Sequence, residues 1–178
     1  MKFLAGFESS LAVAAMKCAN LETMSKEFLR HTVATLAYRA GKTLRDVGDD
    51  FGSYKAGPTI RTPAEILAHM GDLLDWALSI ARGKQEWNNG SALPWAEGVA
   101  RFHAALEAFD QYLASDAPIG TPVEKIFQGA IADSLTHTGQ LAMLRRMSGH
   151  PIKGENYYLA GIAAGRVGPD QAPPKREF

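Results

Sequence analysis

The amino-acid sequence predicts an all-α protein, a four-helix bundle with an N-terminal extension and an irregular C-terminal tail. Three observations predict it. Four long stretches repeat apolar residues at steps of three and four, the period of one helical face. Two of these stretches open with the same Thr-Pro-x-Glu sequence, a helix start. No segment alternates apolar and polar residues as a half-buried strand does. Four amphipathic helices bury their stripes only against one another, which makes a bundle.

The first helix is expected over 25–47. Leu29, Val33, Leu36, Ala40, Leu44 and Val47 form one stripe, and Gly48, Asp49, Asp50 and Gly52 end it. Residues 1–23 precede this domain as an extension, either an accessory helix or a segment ahead of a natural start at Met24. A loop with Gly57-Pro58 leads to Thr62-Pro63-Ala64-Glu65. There Thr62 caps the second helix, Pro63 fits its first position, and Glu65 completes a capping box. Ile66, Met70, Leu73, Leu74, Ala77 and Ala81 make its apolar face. His69 lies on the flank, and Gly83 stops the helix.

A polar connection over 84–93, with an Asn88-Asn89-Gly90 turn, leads to a third helix at Pro94-Trp95. Trp95, Val99, Phe102, Leu106, Phe109 and Leu113 repeat nearly as a heptad, and His103 is expected on its exposed side. The fourth helix opens with Thr121-Pro122-Val123-Glu124 and ends in Arg145-Arg146 before Gly149 and Pro151. The domain is therefore 24–151. The tail, 152–178, carries four glycines and three prolines and is expected to pack irregularly on the bundle, with one short helical turn near Tyr157.

Composition narrows the function. Nineteen Lys and Arg balance nineteen Asp and Glu, so no basic face accumulates for nucleic acid. No apolar run reaches membrane-spanning length. Cys18 is the single cysteine, which rules out a disulfide framework and a thiolate metal site and makes a reducing cytoplasm the expected location. Glu8 interrupts the apolar start, which argues against a secretory signal.

The fourth helix carries the candidate chemistry. On a helix, Ile126, Ala130, His137, Leu141 and Leu144 share one stripe, and Asp133 joins it. Asp133 and His137 are four apart and lie one above the other. A carboxylate buried in such a stripe needs compensation, and a divalent cation supplies it. His69 is about 10 Å into the second helix and His137 about 16 Å from the end of the fourth, so antiparallel packing brings their levels together. Two imidazoles and a carboxylate leave coordination positions open, as in catalytic zinc sites. Read singly, a histidine beside an apolar face is more often a satisfied core residue. Asp133 and His137 can also simply pair with each other. Asp72, three residues after His69, either orients that imidazole or faces solvent. Trp76, Trp95, Tyr157 and Tyr158 are aromatic enough to wall a pocket, or are plain core. His31 is placed beside the first stripe and His150 at the surface.

The segments Ile66-Leu-Ala-His69-Met70 and Asp133-Ser-Leu-Thr-His137-Thr-Gly139-Gln140-Leu141 resemble the DinB-like superfamily, also described as YfiT-like metalloenzymes. The resemblance spans about 25–151. It implies an up-down-down-up bundle, often dimeric, with 84–93 as the crossover. It implies three side chains holding a divalent metal, commonly zinc or nickel, which fall on His69, Asp133 and His137. Asp72 and Gln140 would support them from outside. Asp133 departs from the usual histidine and is closest to the mycothiol-dependent isomerase branch. Characterised relatives are thiol-dependent S-transferases and isomerases. Three functions are therefore open. The first is a metal-dependent transferase, isomerase or hydrolase acting on a small molecule, with or without a low-molecular-weight thiol. The second is a metal- or ligand-binding protein without turnover. The third is a metal-free structural dimer.

Overall fold

The computed structural model describes the backbone from residue 3 and the side chains from residue 23, in both cases to residue 178. The chain is all-α. Helix α1 runs Phe3–Leu44, α2 Asp49–Gly52, α3 Pro63–Ala81 and α4 Trp95–Ala114. Helix α5, Val123–Ile126, passes through a π turn, Phe127–Ile131, into α6, Ala132–Met147. Helix α1 packs on α4 and α6, and α3 packs on α4 and α6, so neighbours around the core run α1, α4, α3, α6.

The expected stripes supply the core. Leu29, Val33, Leu36, Ala40 and Leu44 of α1 are buried, as are Ile66, Met70, Leu74 and Ala77 of α3 and Phe102, Leu106, Phe109 and Leu113 of α4. The capping box of α3 is present. Thr62 Oγ1 accepts from Glu65 N at 3.2 Å, and Thr62 N donates to Glu65 Oε2 at 2.7 Å. Helix α4 has no side-chain cap of its own. Asp49 Oδ1 supplies one from α2, accepting from Trp95 N at 2.8 Å.

Four expectations are corrected. Helix α1 begins well before residue 25, because no glycine or proline interrupts the chain between Gly6 and Gly41. It ends at Leu44 rather than Val47, because Asp46 takes a positive φ of 62°. The fourth helical stretch starts at Val123 with no side-chain cap, so its Thr-Pro-x-Glu does not repeat the capping box of α3. His103 is buried rather than exposed. Its Nδ1 lies 3.3 Å from Val167 O, because the tail folds back over α4.

The tail also covers α1. An isolated antiparallel bridge joins Glu155 to Glu177, and a 3-10 turn spans Tyr157–Leu159. The fully buried Glu155 carboxylate accepts from Tyr38 Oη at 2.6 Å and from Lys42 Nζ at 2.8 Å. Removing one partner of such a pair strands the other charge. Lys42→Met should therefore lower unfolding free energy by about 3–5 kcal/mol, read from urea melts. Burial also holds the His103 imidazole below its ordinary value of 6.5. The unfolded chain then takes up the proton first as pH falls. The stability His103 contributes is complete above pH 6.5 and is lost as pH falls below it toward the folded value. His103→Gln should flatten that part of the stability profile between neutral and mildly acidic pH.

Candidate metal centre

His69 comes from the middle of α3, and Asp133 and His137 from the first turns of α6. The structure brings all three together, with one ligand-capable atom of each lying within 4.8 Å of the others. Among the described residues they are the only group of this kind. Nε2 of His69 lies 3.6 Å from Asp133 Oδ2, and Nε2 of His137 lies 3.5 Å from Asp133 Oδ1. The two imidazole rings stand nearly perpendicular at 87°, with centroids 4.9 Å apart.

The helix that carries two of these residues is not a plain α-helix. Its π turn ends at Ile131, two residues before Asp133. A π turn holds an extra residue and offsets the register of everything after it. Ile126, Ala130, His137, Leu141 and Leu144 remain buried as the stripe requires. Asp133 does not join them, since its side chain is 46% exposed, against 11% for His137 and 25% for His69. The expected dry interior is corrected to a rim, with His137 on the core side and Asp133 toward solvent.

Hydrogen bonding fixes one ligand's chemistry. His137 Nδ1 lies 2.8 Å from Gln140 Oε1. An amide oxygen only accepts, so Nδ1 carries the proton, and in the neutral ring Nε2 presents its lone pair to Asp133. A metal-ligating imidazole is oriented in just this way. Burial, then repulsion whenever His137 is protonated, then the positive charge of Arg61, hold His69 below its ordinary value and favour its neutral form.

Two reference spacings bear on the group. A charge-assisted hydrogen bond from imidazolium to carboxylate closes to about 2.7–2.9 Å. Two ligand atoms each 2.0–2.1 Å from a tetrahedral ion stand about 3.3 Å apart. The observed 3.5 and 3.6 Å, each to a different oxygen of Asp133, are longer than either value, and the three ligand-capable atoms lie within 4.8 Å of one another. Nitrogen and carboxylate donors are also what zinc, nickel and similar ions accept. The group can hold a metal ion.

Asp72 is neither the orienter of His69 nor solvated. It is buried, with Oδ1 accepting from Arg101 Nη2 at 2.7 Å and Oδ2 from Gly90 N at 2.9 Å. Arg101 also reaches Ala68 O and Asp75, crossing α3 where Gly71 leaves room, since a Cβ there would meet the guanidinium. This clamp, with Ser79 Oγ bonded to both the nitrogen and the oxygen of Glu86, seats the 84–94 connection against α3. The seated loop lays Trp87 beside His69, with ring centroids 5.7 Å apart, and Trp76 backs it at 5.8 Å. Sequence reading missed Trp87. Its one signal is a large aromatic in an otherwise polar connection. Trp95 is core against Phe51, Tyr157 packs on Tyr38, and Tyr158 is 94% exposed. His31 and His150 stay outside the group.

No family model, no curated protein and no solved structure matches the chain. Asp72→Ala should cost about 2–4 kcal/mol, because it leaves Gly90 N and Arg101 without their buried acceptor. It should also speed amide exchange across 86–90. Asp75→Ala, at a half-exposed carboxylate, should change stability by less than about 1 kcal/mol.

Proposed function

We propose that the chain is a divalent-metal-dependent enzyme of the DinB-like kind, built as an up-down-down-up four-helix bundle. In this reading His69, Asp133 and His137 hold zinc or nickel, and a small molecule reacts beside them. One observation carries it: two imidazoles and a carboxylate from two helices converge, with one ligand-capable atom of each within 4.8 Å of the others. The DinB-like resemblance of the sequence around His69 and His137 supports the same assignment.

Each residue has a task. Gln140 keeps the proton on Nδ1 of His137 and leaves Nε2 free to bind. The carboxylate of Asp133 balances one of the two positive charges and, at the solvent side, leaves an approach for substrate. Trp87 screens His69 from water on the loop side. The bound ion supplies Lewis acidity, lowering the pKa of a thiol or water or polarising a carbonyl. None of the described residues around the group is a cysteine, and Cys18 is far from it in sequence, so in this reading the nucleophile comes from a small thiol or from water. Thiol transfer or isomerisation is the leading reaction class, with hydrolysis beside it. The resemblance also supports a homodimer, and the single cysteine supports a cytoplasmic location.

Untreated purified protein should contain about one zinc or nickel per chain by elemental analysis. It should also conjugate small thiols to a chlorodinitrobenzene electrophile. His137→Ala should remove the metal and the rate together, and Gln140→Ala should weaken metal affinity by about 10–100-fold. Stoichiometric metal with no turnover across thiol and ester panels would point to a binding protein. Full activity in His137→Ala would refute the assignment.

A further inference from the structure

A groove of about 420 Å³ runs beside the candidate metal centre, between the start of α3 and the length of α6. His137 and Gln140 form part of its wall, so the groove and the three-residue group are continuous. Ile60, Ile66, Met143 and Leu144 make the rest apolar. Two of these are large hydrophobic side chains left open to solvent, Ile60 at 43% and Met143 at 55%. The remaining lining residue is Arg61, the groove's only side chain with a fixed charge.

Arg61 has no hydrogen bond or ion pair among the described residues. The carboxylate nearest to it in sequence, Glu65, is held by the backbone of Thr62 in the capping box. The charge of Arg61 nevertheless reaches the site, since it is among the causes that hold His69 below its ordinary value. An apolar trough with one free guanidinium at its wall is complementary to an apolar body carrying one anionic group. A planar carboxylate matches a single guanidinium through two parallel hydrogen bonds. A phosphate dianion would call for a second cation, and no lysine or other arginine lines the groove.

We propose that this groove binds an organic carboxylate with an apolar body, and that Arg61 is the residue that selects its charge. The acid lies with its apolar part over Ile60 and Met143, its carboxylate on Arg61, and its remaining functional group toward His137. The substrate class rests on the reading that chemistry occurs at His69, Asp133 and His137. The binding of the acid does not.

The test uses the full chain, metal-free and zinc-loaded, titrated calorimetrically with octanoate, octanol, octyl phosphate and acetate. Octanoate should bind at least tenfold more tightly than any of the other three. Arg61→Gln should reduce octanoate affinity tenfold to the level of octanol and leave octanol unchanged. Arg61→Lys should recover part of the loss, and Met143→Asp should weaken octanoate and octanol together. The Arg61 effect should persist in metal-free protein. Failure of metal binding would then remove the enzyme assignment while the acid groove stands. Equal affinity for octanoate and octanol, an unchanged Arg61→Gln variant, or tighter binding of octyl phosphate would overturn the proposal. So would absence of octanoate binding, including in a dimer whose second copy covers Ile60 and Met143.

Discussion

Three electron-pair donors facing one another repel unless something positive lies among them. That constraint governs the region around Asp133. Its two carboxylate oxygens each face an imidazole nitrogen, and the Gln140 contact places the His137 proton on the far side of the ring. In the neutral ring the near side then offers a lone pair to a carboxylate. An ion placed among them would satisfy all three at once. Position at the rim makes the arrangement sustainable for a single carboxylate, because water reaches Asp133 when no cation does.

The scaffold supports this cluster from two directions. Helix α6 sets Asp133 and His137 one turn apart. Helix α3 brings His69 across the core from the other side. The polar connection after α3 is drawn down by Asp72, Arg101 and Ser79, so a segment with no periodicity of its own still delivers Trp87 to the site. The tail packs on α1, where Glu155 and Lys42 pair under it.

Periodicity disclosed the helices and the core because burying an apolar stripe is a local property of the sequence. Thr62 and Glu65 disclosed the start of α3 for the same reason. Asp133 and His137 could be paired from their spacing alone, and His69 joined them through its depth along α3. What stayed hidden depends on contacts between distant segments. His103 reads as exposed until the tail arrives at Val167. Asp72 reads as a partner for His69 or for water until Arg101 and Gly90 claim both of its oxygens. The π turn has no sequence signature in Phe127-Gln128-Gly129-Ala130-Ile131, and the exposure of Asp133 stayed hidden because a stripe fixes a shared face and not how far the neighbouring helix covers each residue. Asp133 is half-exposed, so the convergence of three side chains from two helices, and not the burial of a charge, distinguishes the group.

The most direct measurement is X-ray absorption on protein loaded with one equivalent of zinc or nickel. The account predicts multiple-scattering features from two imidazoles and a first shell of nitrogen and oxygen at about 2.0–2.2 Å. Histidine scattering should fall by half in His69→Ala. A spectrum with no imidazole contribution, or one unchanged by replacing His69, would contradict a centre formed by these three side chains.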